Sequence, residues 1–285
     1  TTNEDMPVRV VIAVSDANNT FNELIITATS GNQSLVSNSN IIQQGTTSST
    51  TSFTIFPSVN MSGIVPVTIT VSDGQYSAMT TFVVSVLPVN DAPAITTNNT
   101  LVLNEGAIAV LGSSLLSVSD PEQSASSLVF VVTSATTNGS LLKNGIPLGS
   151  SFTQADINNG TISYQHNGSE TTADSFAFVV SDGAGGETAG TFIIVVQPVN
   201  DQPVAVPDQD STCMDAAVVI AALHNDTDAE NSTLSITAVT QPQNGTVSIA
   251  TGDSTLVYTP SVAFEETDTF SYTISDGMGG VSTGT

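Results

Sequence analysis

A recurring tripeptide constrains this chain more than any other feature. Ser-Asp-Gly stands at 72–74, 181–183 and 275–277. Ahead of each copy runs an alternating segment with apolar residues at the same offsets: Val67, Ile69 and Val71; Phe176, Phe178 and Val180; Phe270, Tyr272 and Ile274. Ile55, Tyr164 and Tyr258 lie further upstream, each at one fixed distance from its Asp. Val-Asn-Asp occurs at 89–91 and 199–201, with Pro93 or Pro203 two residues on. Matches in register at a period of roughly a hundred residues mark one module repeated in series, not a single large domain. The frame predicts three modules, 1–91, 92–201 and 202–285. On this frame the first is expected to be truncated at its start and the third inside its last strand, as in a piece of a longer array.

Inside each module the apolar residues alternate, with Gly, Asn and Pro between runs and no segment of helical period. In the first module this predicts strands at 8–14, 24–29, 52–56, 65–71 and 80–87. Asn138-Gly139 and Asn244-Gly245 are expected to be hairpin turns, since Asn-Gly accepts the positive φ such turns need. About seven short strands per hundred residues is the pattern of an antiparallel β-sandwich of immunoglobulin type. The predicted fold is all-β, three sandwiches in an extended rod on the order of 100 Å long at about 3.3 Å rise per residue.

Charge excludes several functions. There are 26 Asp plus Glu against 2 Lys plus Arg, a net charge of −24. A phosphate backbone or an anionic membrane needs the basic residues that are missing here. Yet 39% of residues are hydrophobic, enough to bury a core, so this is no solvated acidic tail. The longest apolar runs, 82–87 and 192–196, have strand length and fall far short of the roughly 20 residues that span a bilayer. Cys213 is the single cysteine and closes no disulfide within the chain. His166 and His224 do not recur between modules and read as hydrogen-bonded turn residues. With no nucleophile elbow, no phosphate loop and no Cys/His cluster, catalysis is not expected.

The pattern Glu4-Asp5-Met6-Pro7, Val14-Ser15-Asp16, Ser72-Asp73-Gly74 and Val89-Asn90-Asp91-Ala92-Pro93 resembles the cadherin-like and immunoglobulin-like tandem repeats of giant bacterial surface proteins, RTX-type adhesins among them. Glu105-Gly106, Phe152-Thr153, Asp156-Ile157, Tyr164, His166, Gly168-Ser169-Glu170 and Asp174-Ser175-Phe176 are similar to the chondroitin-sulfate-proteoglycan type of cadherin-like repeat. Asn225-Asp226-Thr227-Asp228, Tyr258-Thr259-Pro260 and Ser275-Asp276-Gly277 resemble a related cadherin-like repeat. The resemblance implies an extracellular, secreted or cell-surface stalk that mediates attachment. Its partners would be calcium ions and other surface proteins or glycans, homophilic contacts included.

In a sandwich of this type the turns carrying Asp120, Asp182, Asp226, Asp228, Glu230 and Asp276 face the preceding module. Glu4 and Glu105 follow a first strand at the opposite end, and Asp91 and Asp201 lie in the linkers. Carboxylates about 5 Å apart repel by about 3 kcal/mol per pair at an effective dielectric near 20. Two basic residues cannot neutralise them, whereas Ca²⁺ accepts about six to eight oxygens, including Asn and backbone carbonyls. Carried over from cadherin repeats, the first junction is Glu4, Asn90, Asp91, Asp120 and Asp182. The second is Glu105, Asn200, Asp201, Asp226, Asp228 and Asp276, with Glu170 and Asp174 as additions. Val65 stands where Asp174 and Asp268 stand, so the first junction is expected to hold fewer acids. Asp215 is expected in the place of Glu4 and Glu105. The rival readings are that the acids merely cap turns and keep the chain soluble, or that this is a carbohydrate-binding or spacer module of a secreted polysaccharide-degrading enzyme. The absence of Trp argues against a sugar-stacking platform.

Overall fold

The computed structural model describes all 285 residues. The regular secondary structure is almost wholly β-strand, with one five-residue helix and two single 3₁₀ turns. It separates into two compact units, one of Thr1–Thr96, Val118–Phe130 and Val179–Thr188, the other of Thr97–Ser117, Val131–Phe178 and Ala189–Thr285.

The first unit holds a sandwich. One sheet has the order Thr2–Asn3, Ser77–Leu87, Gly63–Ser72, Ile25–Ser30; the other Val8–Ala13, Thr50–Ile55, Ile41–Thr46. Alternation in Gly63–Ser72 sends Val65, Val67 and Ile69 into a core with Leu35, Phe53, Ile55, Val84 and Val86. Five of these strands lie where alternation predicted them. Ile41–Thr46 was not expected, because it buries only Ile41 and lies at the edge of its sheet, where no inward face imposes a period. Thr2–Asn3 pairs in parallel with Val86 and Leu87, which brings the start of the chain beside the strand that runs into the first linker.

The second unit contains a four-stranded sheet ordered Ile108–Val110, Ile162–His166, Gly139–Lys143, Ile146–Pro147. Leu101–Asn104 pairs in parallel with Ile194–Gln197, repeating the arrangement at the chain start. Two three-stranded sheets follow: Val218–Ile220, Leu256–Pro260, Gly245–Ile249, and Ser235–Val239, Tyr272–Ser275, Val281–Gly284. Ile236, Val247, Leu256, Tyr272 and Ile274 form a core among them. Phe176 stacks on Phe192 at 5.3 Å between ring centres.

The two expected Asn-Gly hairpin turns are not turns of that kind. Gly139 and Gly245 each begin a strand. A Cβ on Gly139 would lie 2.5 Å from the Tyr164 ring, and one on Gly245 2.5 Å from the Tyr258 ring, so these glycines make room for an aromatic face. The tight hairpin is Asn144-Gly145, between paired Lys143 and Ile146, with φ of 53° and 75° at its two central residues. The helix Gln154–Asn158 was also not anticipated. It is too short to show a hydrophobic period, but it carries a capping box: Asp156 N–H donates to Thr153 Oγ1 and Thr153 N–H to Asp156 Oδ2.

Candidate metal junctions

Each Val-Asn-Asp linker is tied down by the same bonds. In the first unit, Glu4 N–H donates to Leu87 O at 2.9 Å, and Val89 N–H donates to Glu4 Oε1 at 2.5 Å. Asn90 Nδ2 donates to Asp182 Oδ2 at 2.6 Å and to Asp91 O. Asp91 N–H reaches Glu122 Oε2 at 3.3 Å. In the second unit, Glu105 N–H donates to Gln197 O and Val199 N–H to Glu105 Oε1. Asn200 Nδ2 donates to Asp276 Oδ2 at 2.7 Å, and Asp201 N–H to Glu230 Oε1 at 2.7 Å.

The turns are built to present carboxylates. Asp120 Oδ1 accepts from Glu122 and Gln123 N–H, and Asp228 Oδ1 from Ser232 N–H. Asp182 Oδ1 takes the N–H groups of Ala184, Gly185 and Gly186; Asp276 Oδ1 takes those of Met278, Gly279 and Gly280. The Asn90 amide, then the turn N–H groups, hold Asp182 below the usual carboxylate range, and Asn200 with its turn does the same for Asp276.

What remains is a set of acceptors with no donor. Asp91 Oδ2, Asp120 Oδ2 and Gln123 Oε1 in the first unit are shut off from solvent and unpaired. So are Glu105 Oε2, Asp228 Oδ2 and Glu230 Oε2 in the second. Each such oxygen costs roughly 1–3 kcal/mol, more when charged. Glu105, Glu170 and Glu230 bring oxygens within 4.8 Å of one another. Partial desolvation of its carboxyl, then the charges of Glu105, Glu230 and Asp201, push Glu170 up. An all-oxygen donor set of mixed carboxylate and amide groups, short of any positive charge, fits a hard divalent cation.

The structure redistributes several of the predicted acids. Asp226 turns to Tyr272, whose hydroxyl lies 3.4 Å from it and 2.8 Å from Asp208, and accepts from Val206 N–H. Burial, with the charge of Asp208, raises it. Asp174 belongs to a different device: it accepts from Thr137 and Asn138 N–H and from the Tyr164 hydroxyl at 2.9 Å. Asp268 does the same with Gln243, Asn244 and Tyr258. Val65, aligned with both, is simply core. Asp215, with φ 61°, matches Asp5 at 59° and Gly106 at 65°, so Met214, not Asp215, takes the position of Glu4 and Glu105. Glu122 and Gln123 were missed, and Glu230 was placed near the junction but left out of its donor set. The signal was the repeated Asp-x-Glu at 120–122 and 228–230.

Known proteins share parts of this sequence and its fold. Residues 93–196 match the cadherin-like family model. Residues 200–285 match the bacterial Ig domain model. Extracellular matrix protein 3 of Lytechinus variegatus is 35% identical over 139 residues, 48% of this chain and 4% of that protein. Human chondroitin sulfate proteoglycan 4 is 38% identical over 105 residues, 36% of this chain and 4% of its own length. A structure of mouse cadherin-23 EC22-24 superposes with a TM-score of 0.50 at 16% identity, covering 100% of this chain and 91% of that one. That likeness shows the fold: tandem sandwiches of cadherin and immunoglobulin type. The chain spans about a twenty-fifth of the relatives it matches. These relatives are extracellular matrix proteins, and the chain is accordingly extracellular, secreted or at the cell surface. No helix is long and apolar enough to cross a membrane.

Proposed function

We propose that this chain is a calcium-rigidified stalk segment of a large extracellular surface protein that serves attachment between cells or between cell and surface. Its modules are 1–91, 92–201 and 202–285, and the bacterial Ig match in the last favours a bacterial surface adhesin. The observation that carries the reading is the orphaned acceptor set, present at both linkers with the same Asn-to-Asp tie beside it.

At the first junction Glu4, Asp91, Asp120, Glu122 and Asp182 would hold the ion; at the second Glu105, Glu170, Asp201, Asp228, Glu230 and Asp276. The bound cation neutralises crowded charge. The chain's own residues do the rest: Asn90 and Asn200 fix the linker carbonyl beside the turn Asp, and Glu4 and Glu105 clamp the linker amide through one oxygen, leaving the other free. Held this way, a hinge between modules becomes a stiff joint, and surface proteins or glycans engage a rod instead of a flexible string.

Calcium titration of the whole chain tests this. Extracellular modules of this kind bind at about 10⁻⁴ to 10⁻³ M. Asp91→Ala should abolish uptake at one class of site and Asp201→Ala at the other. Heat-free titrations and scattering curves identical with calcium and with chelator would overturn the reading.

A further inference from the structure

His166 ends the strand Ile162–His166 and is buried to 2% exposure. Its Nδ1 accepts two backbone N–H groups, from Gly106 and from Gly168, both at 3.2 Å. Because Nδ1 accepts, the ring proton sits on Nε2, which donates to Thr171 Oγ1 at 3.0 Å. One imidazole therefore joins two stretches of chain far apart in sequence. Gly106 directly follows Glu105, while Gly168 and Thr171 bracket Glu170. The tie continues round the turn: Thr171 Oγ1 lies 3.1 Å from Ser169 Oγ, which donates to Asn167 Oδ1 at 2.7 Å. Both glycines hold positive φ, 65° and 80°, the conformation that aims their N–H groups at the ring. His166 N–H also donates to Ala107 O, so the Glu105 turn is held from both sides.

We propose that His166 is a positioning residue for the second cation junction: it fixes the Glu105 and Glu170 segments relative to each other, so that their carboxylates meet with Glu230. This rests on the calcium reading above. The repeat frame supports the pairing of strut and acid. Pro57 and Pro260 stand where His166 stands, and Met61 and Phe264 stand where Glu170 stands. The imidazole and the additional glutamate occur together in the middle module, at the junction where three glutamates crowd within 4.8 Å. Like-charged carboxylates drive their segments apart unless something neutral and buried holds the backbones that bear them. A histidine with both nitrogens engaged is such a group, and outer partners of metal ligands typically matter by about 10–100-fold in affinity.

The test is calcium titration of the full chain in an Asp91→Ala background, which leaves the second junction to report alone. His166→Leu should weaken binding about tenfold. His166→Asn, whose Oδ1 replaces the Nδ1 acceptor, should restore it to within a few-fold of the parent. His166→Gln reaches Thr171 but offers the glycine amides nothing, and should bind as weakly as His166→Leu; it also serves where the leucine variant does not fold. A residue that only packs the core would lower the melting temperature equally with calcium and with chelator, leaving the calcium-induced increment intact. An undiminished increment, or an asparagine variant no better than leucine, overturns the strut. Absence of calcium uptake in the unmutated chain overturns the junction reading itself and the strut with it.

Discussion

Asn90 and Asp182 are separated by 92 residues of chain and joined by a 2.6 Å hydrogen bond from Nδ2 to Oδ2. The same amide hydrogen-bonds Asp91 O, so a single side chain sets a linker carbonyl and a turn carboxylate side by side. Two oxygens brought together by a shared donor supply part of the oxygen set that the proposed hard-cation site needs, before any cation arrives.

That closeness depends on a missing side chain. A Cβ on Gly186 would press on the Asp182 carboxylate and lie 2.8 Å from both Asp91 O and Ala92 Cα. On Gly280 it would press on Asp276 and lie 2.9 Å from Pro203 Cδ and 3.0 Å from Asp201 O. Gly186→Ala and Gly280→Ala should each cost about 1–3 kcal/mol by overpacking. Each should also weaken calcium uptake at its own junction alone, read by titration of the single variants.

Stability without calcium should pass through a maximum in acid. Asp182 and Asp276 are depressed when folded, so the unfolded chain binds more protons below about pH 4. Their contribution is complete above that value and is lost as pH falls through the folded pKa. Glu170 runs the other way: raised when folded, it makes the chelated protein less stable as pH climbs from about 4.3 through its folded value. Thermal unfolding in chelator across pH 2–8 checks both limbs, and calcium should remove the part of the upper decline that Glu170 contributes, leaving that of Asp226.

Glu170→Gln separates the two states of the second junction. In chelator the variant should melt higher than the parent at neutral pH, because one of three crowded charges is gone. In calcium it should melt lower, because a donor is lost. Paired melting curves decide it; a shift of the same sign in both conditions would remove Glu170 from the junction.

The tyrosine–aspartate ties of Tyr164 with Asp174 and Tyr258 with Asp268 should matter to folding and leave calcium untouched. Tyr164→Phe removes one hydrogen bond from an Asp that keeps the N–H groups of Thr137, Asn138 and Ser175, and should cost about 1 kcal/mol. Asp174→Ala leaves those donors and the hydroxyl unpaired in a buried place and should cost about 3 kcal/mol or more. Denaturant unfolding measures both, with unchanged calcium affinity as the control.

Much of this architecture can be read from residue order alone. Period-two alternation in a strand such as Gly63–Ser72 is a local property, and it states which side chains face inward. The Val-Asn-Asp and Ser-Asp-Gly copies likewise mark the two chain segments that carry Asn90 with Asp182 and Asn200 with Asp276. Strands without an inward face, such as Ile41–Thr46, and the one-turn helix capped by Thr153 fall below what a period can reveal.

The destination of each carboxylate was decided only in three dimensions. Asp174, Asp226 and Asp228 are indistinguishable as acids in a polar stretch, yet the first caps a neighbouring loop, the second faces a buried tyrosine and the third keeps one oxygen bare at the junction. The difference lies in which backbone N–H groups and hydroxyls point at each one: Asp174 and Asp226 meet donors from segments tens of residues away, whereas Asp228 meets only the N–H of Ser232 in its own turn. Sequence set where the acids stand along the chain; packing set which oxygens are satisfied and which are left unpaired, because hydrogen-bond direction is a property of the assembled backbone.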